Sequence, residues 1–176
     1  MAETRTAHTA DLDEGTLRAI RALMDAAFEG DFDDHDWDHA LGGVHATVWE
    51  DGELVAHASL VQRRLLHAGR ALRAGYVEAV AVDPRRRRHG YGAAVMAPLE
   101  RVIRGAYDVG GLAASEMALR FYASLGWQRW EGPTSALTPG GVVATPDDDG
   151  IFVLPVSAEL DRSGELTCDY RDGSLW

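Results

Sequence analysis

One segment of the chain, residues 75–92, joins an apolar β-type run to an arginine- and glycine-rich turn and then to a helical pattern. It reads Gly-Tyr-Val-Glu-Ala-Val-Ala-Val-Asp-Pro-Arg-Arg-Arg-Arg-His-Gly-Tyr-Gly, and its β-type run contains one carboxylate, Glu78. The first turn of a helix has backbone N–H groups without intrahelical partners, and the helix dipole favours negative charge there. The segment therefore predicts a site for a phosphate-bearing cofactor, with Glu78 beside it as a general base.

Length and composition indicate a single globular domain that covers residues 1–176. A hydrophobic content of 46% and a charged content of 26% are typical of soluble proteins. No apolar run approaches the length of a membrane span, and the N-terminus lacks the apolar core of a signal peptide. The single cysteine, Cys168, cannot form an internal disulfide. We expect a cytoplasmic protein that has no membrane partner.

The net charge of −11 comes from 17 basic and 28 acidic residues, a balance that disfavours binding to nucleic acid. The charges are unevenly distributed: four arginines stand together at residues 85–88, and acids cluster at residues 31–38 and 147–149. Two interpretations remain open. The acidic runs are solvated loops, or the chain has one region that attracts an anion and others that attract a cation, as a two-substrate enzyme needs.

The N-terminal pattern predicts a helix that starts in a capping box formed by Asp11 and Glu14 and ends at Gly30. An acidic, mostly non-periodic link should follow, to about Trp37.

Three β-strands in series are then expected, at Val44–Trp49, Leu54–Leu65 and Leu72–Val82. The first pair is joined by Asp51-Gly52, a strong hairpin dipeptide, and the second by the tight turn Ala68-Gly69-Arg70.

A second helix is predicted from Tyr91 to Tyr107, although Pro98 should kink or shorten it. A short buried strand at 110–114 and a third helix at 116–125, capped by Ser115, should follow. Two late strands at 127–130 and 151–155, separated by a Pro/Gly-rich loop, complete the pattern. The fold class is α+β, with a central mixed, mostly antiparallel twisted sheet flanked by helices.

The turn Arg87-Arg88-His89-Gly90-Tyr91-Gly92 has the pattern R-x-x-G-x-G. Its glycines let the backbone approach a pyrophosphate closely, and its arginines screen the pyrophosphate charge. The spacing matches neither a Rossmann nor a P-loop motif. On these residues alone, an ordinary solvated basic turn is an equal alternative.

Three pieces of the chain, taken together, resemble the GCN5-related N-acetyltransferases (GNATs). They are Val80-Ala81-Val82, the turn at 87–92, and Leu-Arg-Phe-Tyr-Ala-Ser-Leu-Gly-Trp at 119–127. The resemblance implies a GNAT-type domain whose turn holds the pyrophosphate of acetyl-coenzyme A. It also implies that residues 80–82 pair with the pantetheine arm and that Tyr122 lies near the thioester sulfur.

Within that superfamily, the chain resembles the aminoglycoside 2′-N-acetyltransferases over nearly its whole length. The residues that carry this likeness are the runs at 8–12, 30–32, 36–37, 41–43, 62–65, 75–78, 132–135, 145–150 and 169–176. The likeness implies a homodimer that acts on the 2′-amine of aminoglycosides. One departure is Gly-Leu-Ala-Ala-Ser at 111–115, where we expect more hydroxyl groups in relatives.

Chemistry assigns roles to two of these residues. Acetyl transfer needs a neutral amine, and Glu78 can remove the proton from an ammonium either directly or through a water. Tyr122 can give the leaving thiolate a proton or a hydrogen bond, and a backbone N–H near Val80 can stabilise the thioester oxygen. The alternatives are a surface carboxylate at Glu78 and a core aromatic at Tyr122.

An aminoglycoside is a polycation, so carboxylates are its natural partners. Glu78, Asp31, Asp36, Asp148 and the C-terminal carboxylate of Trp176 are the predicted acceptor-binding groups, with solvated loops as the alternative for the acidic clusters. No metal is expected. The histidines at 35 and 39 lack a third ligand, and the run at 147–150 lacks EF-hand spacing.

The sequence thus predicts direct transfer of acetyl from acetyl-coenzyme A to an aminoglycoside 2′-amine in a ternary complex, which would confer antibiotic resistance. Two alternatives stay open: a GNAT enzyme for another amino-sugar or a polyamine, and a catalytically idle module that binds acetyl-coenzyme A.

Overall fold

The computed structural model describes residues 1–146, 148 and 150–176, so Asp147 and Asp149 of the predicted acidic loop lie outside the described residues. The chain divides into two compact units. The first contains residues 1–61 and 77–101, and the second contains residues 62–76 and 102–176. Among the described helices, none is long and apolar enough to cross a membrane.

Helix α1 of the first unit runs from Glu14 to Ala27 and is capped by Asp13. The Asp13 carboxylate accepts a hydrogen bond from the backbone N–H of Thr16 at 2.7 Å. The predicted capping box of Asp11 and Glu14 is therefore wrong by two residues, because Asp11 belongs to a separate turn of 3₁₀ helix at Thr9–Asp11.

Helix α2, Asp34–Ala40, occupies the segment for which the sequence predicted a non-periodic link. It starts in a reciprocal capping box. The Asp33 carboxylate accepts from the N–H of Asp36 at 2.9 Å, and the Asp36 carboxylate accepts from the N–H of Asp33 at 3.1 Å. Two satisfied N–H groups start this short helix even though the segment has little apolar periodicity.

The first unit also contains three consecutive antiparallel strands. Strand β1 (Glu3–His8), which was not predicted, pairs with β2 (Val44–Glu50), and β2 pairs with β3 (Glu53–His67). The predicted Asp51-Gly52 hairpin is confirmed, with left-handed φ values of 52° and 85°. The Ala68-Gly69 turn before β4 (Arg70–Val82) is confirmed in the same way.

An apolar cluster fills the interior of the first unit. Ile20, Leu23 and Met24 of α1 pack with Phe32 and with Ala81 of β4. These apolar side chains form the buried face of α1. They pack on Ala81, near the end of the strand that carries Glu78.

Helix α3 runs uninterrupted from Tyr91 to Ala106 with Pro98 inside it, so the alternative of a shortened helix is wrong. Val95, Met96 and Leu99 around the proline are fully buried. Burial of these side chains offsets the loss of one backbone hydrogen bond at the proline.

The strands with residues in the second unit follow the order β6-β9-β5-β4-β3-β10-β7-β8. The remaining ranges are β5 Val109–Ala113, β6 Gln128–Arg129, β7 Thr134–Thr138, β8 Gly141–Ala144, β9 Ile151–Pro155 and β10 Leu166–Asp169. Strand β4 runs parallel to β5, and β10 runs parallel to β7, whereas β5–β9, β6–β9, β7–β8 and β3–β10 are antiparallel. The predicted α+β class with a mixed, mostly antiparallel sheet is confirmed.

Three predictions for this unit are corrected. The third helix is a 3₁₀ turn, Glu116–Ala118, followed by α4, Leu119–Ser124, and Ser115 makes no side-chain capping bond to the described residues. The predicted loop between the late strands contains the β7–β8 hairpin. Strand β10 was not predicted, because its partners β3 and β7 are distant in sequence.

Gly42 and Gly43 precede β2 and offer a matched stability test. A Cβ on Gly43 would lie 1.9 Å from the carbonyl oxygen of Leu60, whereas Gly42 has open space around it and a φ of +83°. We expect Gly43→Ala to lower the free energy of unfolding by about 3 kcal/mol, because a backbone carbonyl cannot rotate away. Gly42→Ala should cost only about 1 kcal/mol of left-handed strain. Urea denaturation of both variants measures the difference, and equal losses would contradict this account.

Candidate active site

Glu78 lies in strand β4, directly before a residue with irregular backbone angles. Its side chain is half-buried, and the next residue, Ala79, has a left-handed φ of 49°. For a residue with a Cβ this conformation costs roughly 1–2 kcal/mol, so the surrounding structure must hold it. A left-handed residue inside a strand interrupts the regular alternation of side chains and re-aims those beside it.

Two buried histidines form a chain of contacts that ends at Ala79. The Nδ1 atom of His57 lies 2.9 Å from the carbonyl oxygen of Ala79, and its Nε2 atom lies 2.9 Å from Nδ1 of His45. His45 Nε2 in turn lies 2.7 Å from the hydroxyl of Thr9. Both rings are fully buried. Burial lowers the pKa of His45 to about 4 and the pKa of His57 to about 3, so both are neutral at pH 7.

The turn between β4 and α3 has the backbone of an anion site. Arg88 and Gly90 adopt left-handed φ values of 68° and 82°. The N–H of Ala94 donates to the carbonyl of Gly90 at 3.0 Å, which is the first bond of α3. The N–H groups of residues 91–93 therefore belong to the open first turn of the helix, where an anion is favoured.

His89 organises this turn from within. Its Nδ1–H lies within hydrogen-bonding distance of the carbonyls of Arg86 and Arg87, at 3.1 and 2.9 Å. The histidine side chain thus gives these two carbonyls a hydrogen-bond partner within the turn.

The four arginines divide into two pairs. Arg85 pairs with Asp83 at 2.8 Å, and Arg86 pairs at 2.6 Å with Glu50, which also accepts from the Tyr91 hydroxyl at 2.7 Å. Arg87 and Arg88 are exposed. The first pair ties the turn to its neighbours, and in the second pair Arg87 donates to the carbonyl of Ala27 at 3.4 Å.

The predicted cofactor-binding strand residues lie at the end of β4. Ala81 is buried in the apolar cluster, while Val80 and Val82 are half-buried. The N–H of Asp83 donates to the carbonyl of Val55 at 2.9 Å, which fixes where the strand ends.

Asp31 and Asp36, the predicted acceptor-binding residues of the first unit, differ in their surroundings. Asp31 is exposed in the connection between α1 and α2. Asp36 is half-buried, and one of its oxygens caps α2. Glu78, both aspartates and the turn thus belong to the first unit, whereas Tyr122, Asp148 and Trp176 belong to the second.

Tyr122 lies in α4 with 6% of its surface exposed. Its ring contacts Phe121, Trp127 and Phe152, with centroid separations of 5.0, 6.5 and 6.1 Å. Burial raises the pKa of Tyr122 above its usual range. The phenol therefore stays protonated at neutral pH and can donate a hydrogen bond.

Trp176 and Asp148 are brought together at Thr145. The buried indole N–H of Trp176 donates to the Thr145 hydroxyl at 2.9 Å. The N–H of Asp148 donates to the Thr145 carbonyl at 3.2 Å. Thr145 is itself held by a hydrogen bond from its hydroxyl to that of Thr134 at 2.8 Å.

A buried arginine holds the segment that leads to Trp176. Arg63 is 4% exposed; it donates through Nε to the Asp169 carboxylate at 2.8 Å and through one terminal nitrogen to the carbonyl of Leu175 at 2.8 Å. Its guanidinium also lies over the ring of Tyr76, 4.7 Å from the centroid. These contacts position the chain just before Trp176.

The second unit also contains an open cleft of about 390 Å³, a size suited to a small molecule. Its lining residues are Arg129, Trp130, Glu131, Gly132, Pro133, Thr134, Pro146, Asp148 and Ile151. Among the predicted site residues only Asp148 lines it, so the cleft alone does not define an acceptor pocket.

Cys168 is unsuited to nucleophilic catalysis. Its side chain is fully buried, its thiol donates to the carbonyl of Leu175 at 3.4 Å, and burial raises its pKa. Among the described residues, no group of three or more His, Cys, Asp or Glu side chains is placed to hold a metal ion.

Sequence reasoning missed Glu50, Arg63 and the histidine pair. The available signal was a polar residue at an inward position of a β-type run, since a buried polar side chain needs a partner.

Comparisons with known proteins give a family match and a close relative in sequence. A family model described as an acetyltransferase (GNAT) domain matches residues 8–130. An aminoglycoside 2′-N-acetyltransferase of Mycolicibacterium fortuitum is 54% identical, over 98% of this chain and 91% of that protein.

Solved structures show the same fold at low sequence identity. A GNAT family acetyltransferase from Brucella melitensis, solved in complex with acetyl-CoA, superposes with a TM-score of 0.64 at 15% identity, covering 98% of this chain and 97% of that one. Escherichia coli ElaA superposes with a TM-score of 0.61 at 21% identity, covering 87% and 99%.

The buried histidines predict a loss of stability in mild acid. In the unfolded chain both titrate near 6.5, but in the folded chain His45 and His57 titrate near 4 and 3. Well above pH 6.5 both histidines are neutral in the folded and the unfolded chain, so their titration does not change the stability. As the pH falls below 6.5, the unfolded state binds more protons than the folded state, and the stability drops. The loss approaches about 3 kcal/mol for His45 near pH 4 and about 4 kcal/mol for His57 near pH 3.

Urea denaturation of the wild type and of a His45→Asn/His57→Asn double variant between pH 7.5 and pH 5 tests this. The double variant should have the flatter profile. Parallel profiles would show that the histidines accept protons freely in the folded state.

Proposed function

The chain belongs to the GNAT acetyltransferase family, and we propose that it transfers an acetyl group from acetyl-coenzyme A to the 2′-amine of aminoglycosides. The observation that carries the proposal is the anion-binding turn at 87–92, directly downstream of a strand in which Glu78 stands beside a left-handed residue. The substrate assignment comes from the name of the Mycolicibacterium fortuitum relative.

The turn binds the pyrophosphate of acetyl-coenzyme A, which supplies an activated thioester when bound. The N–H groups of residues 91–93 donate to the phosphate oxygens, and Arg87 and Arg88 neutralise their charge. Val80, Ala81 and Val82 pair with the pantetheine arm, and His89, Gly90, Tyr91 and Gly92 shape the turn.

Glu78 acts as the general base, directly or through a water. It withdraws a proton from the acceptor ammonium and so exposes the lone pair that attacks the thioester. The Glu78 carboxylate is half-buried, so a substrate can reach it. Its position is set by the backbone beside Ala79, whose φ is left-handed. The N–H of Val80, two residues along the strand from Glu78, stabilises the negative charge on the thioester oxygen.

Tyr122 donates to the departing thiolate. Because burial raises the pKa of Tyr122, transfer of its whole proton to a thiolate, whose conjugate acid has a pKa of about 8.5, is unfavourable. The shift therefore favours a hydrogen bond over complete proton transfer as the role of the phenol.

The acceptor is a polycation held by carboxylates. Asp31, Asp36 and Asp148 bind ammonium and hydroxyl groups together with Glu78, and Trp176, held beside Asp148 at Thr145, completes the acceptor site. One oxygen of Asp36 caps α2, so its second oxygen is the one offered to the substrate.

We further propose that residues 1–176 act as a single catalytic domain, that the protein works as a homodimer, and that it is located in the cytoplasm. Size-exclusion chromatography with light scattering tests the dimer.

Thiol release from acetyl-coenzyme A tests the reaction and its regiochemistry together. We expect turnover with gentamicin or tobramycin, which carry a 2′-amine, and little with kanamycin A, which has a hydroxyl there. Glu78→Gln should lower kcat/KM with tobramycin about 10²- to 10³-fold, because the base is lost. The residual activity should rise with pH as the amine deprotonates without help.

Two outcomes would contradict the proposal. Turnover of polyamines or simple amino-sugars without turnover of tobramycin would assign another amine. No turnover of any amine, with acetyl-coenzyme A still bound, would indicate a catalytically idle module.

Tyr122→Phe isolates the leaving-group step. The aromatic ring stays, so we expect the unfolding temperature to change little, while kcat falls about 10-fold or more. Tyr107→Phe, at a tyrosine with no assigned role, is the matched control and should keep wild-type kcat. Equal kcat values for the two variants would remove the phenol from the mechanism.

A further inference from the structure

We propose that Thr9, His45 and His57 are positioning residues for acetyl transfer. They form a directed chain of hydrogen bonds that holds the peptide group between Ala79 and Val80 in its catalytic orientation. This inference rests on the proposed function, because it needs Val80 N–H and the neighbouring Glu78 as working groups.

The chain of hydrogen bonds has one consistent proton arrangement. The carbonyl of Ala79 can only accept, so His57 carries its proton on Nδ1 and has a lone pair on Nε2. His45 must then donate from Nδ1 to that lone pair, which leaves its own Nε2 as an acceptor. The Thr9 hydroxyl has two acceptors in reach, the carbonyl of Gly43 at 3.3 Å and Nε2 of His45 at 2.7 Å, and it completes the series by donating over the shorter contact to His45.

The outer end of this chain is fixed to the backbone. The Thr9 hydroxyl oxygen accepts from the N–H of Gly42 at 2.9 Å, and the N–H of Thr9 donates to the carbonyl of Gly43 at 2.9 Å. A chain anchored at one end and buried throughout can hold its other end in place.

Both peptide groups that flank Ala79 are held from strand β3. His57 binds the carbonyl of Ala79, and two residues along the same strand the Ser59 hydroxyl donates to the carbonyl of Glu78 at 3.4 Å. These two carbonyls lie on either side of the left-handed Cα of Ala79. Fixing both fixes the φ and ψ angles of Ala79, and with them the direction of the strand that carries Glu78.

The peptide group that His57 holds is the one that contains Val80 N–H. Because a trans peptide is planar, its N–H points opposite to its C=O, so an anchored Ala79 carbonyl sets the direction of the Val80 donor. A hydrogen bond accepted by the carbonyl also polarises the same peptide and makes its N–H a stronger donor. His57 therefore acts on the proposed oxyanion contact through one planar group.

The pair does not relay a proton from the base. The chain ends on a carbonyl, which cannot pass a proton onward, and both imidazoles are fully buried in the neutral form. The proposed role is thus geometric, and it should appear in kcat more than in KM.

The test compares His57→Leu, which removes the donor, with His57→Asn, whose side-chain amide can still donate to the Ala79 carbonyl. We expect His57→Leu to lower kcat with tobramycin about 10- to 100-fold while KM changes little, and His57→Asn to recover part of the loss. His45→Leu should also lower kcat, and the His45→Leu/His57→Leu double variant should be no slower than His57→Leu.

His67 supplies a matched control for burial alone. It is 6% exposed, its Nδ1–H donates to the Glu165 carbonyl at 2.9 Å, and its Nε2 accepts from the N–H of Asp161 at 3.1 Å. We expect His67→Leu to lower the unfolding temperature but to keep kcat when assayed well below that temperature. Equal kcat losses at positions 57 and 67, or a wild-type kcat for His57→Leu, would overturn the positioning role.

Nitrogen-15 NMR of the wild-type histidines gives a readout that does not depend on turnover. His45 and His57 should both appear as neutral Nδ1–H tautomers at pH 7, and an Nε2–H tautomer at His57 would disprove the chain. An inactive wild-type protein would overturn the proposed function and the positioning role with it, while the tautomers would still decide whether the chain exists. Activity that Glu78→Gln abolishes but His57→Leu leaves intact would overturn the positioning role alone.

Discussion

The contact between His57 and the carbonyl of Ala79 joins the buried part of β3 to the irregular part of β4. The left-handed backbone at Ala79 costs roughly 1–2 kcal/mol, and a net hydrogen bond contributes about 1 kcal/mol, so one contact offsets most of the strain. Losing the donor costs more than the bond itself, because a carbonyl left without a partner adds a penalty of about 1–3 kcal/mol. The strain at Ala79 and the hydrogen bond that restrains it are therefore of similar size. Their balance favours one backbone conformation next to the Glu78 carboxylate.

This acidic protein has a dense run of positive charge in one short segment. The chain carries a formal charge of −11, yet residues 85–88 are four consecutive arginines. Arg85 and Arg86 pair with Asp83 and Glu50, whereas Arg87 and Arg88 are exposed, and Arg87 donates a hydrogen bond to the carbonyl of Ala27 at 3.4 Å. The excess acids lie elsewhere and suit a polycationic acceptor. In the proposed reaction one substrate is a polyanion and the other a polycation, and this separation of charge suits a protein that must attract both.

Local chemistry explains which elements the sequence predicts. The Asp51-Gly52 turn needs left-handed residues, and its strands alternate, so the β2–β3 hairpin follows from a few neighbouring residues. Helix α2 has only seven residues and little apolar periodicity, and its stability comes from the Asp33 cap and from tertiary packing. Strands β1 and β10 are short, and each gains its stability from partners far along the chain. Their own residues carry too weak a signal to distinguish them from loop.

The candidate site residues show the same contrast between signals that are local in the sequence and contacts that are not. Glu78 and the turn at 87–92 stand out in the sequence because they are contiguous. The contacts that the sequence does not reveal join distant residues: His57 and Ala79 are 22 residues apart in the first unit, and Arg63 and Asp169 are 106 residues apart in the second. A buried arginine in a strand needs a partner, because an unpaired buried charge costs about 3–5 kcal/mol. The sequence around the arginine does not indicate which residue that partner is. A chain that kept Glu78 and the turn but lost the donor at 57 would keep both motifs. In the proposed mechanism it would lose the backbone position through which Glu78 and the N–H of Val80 act.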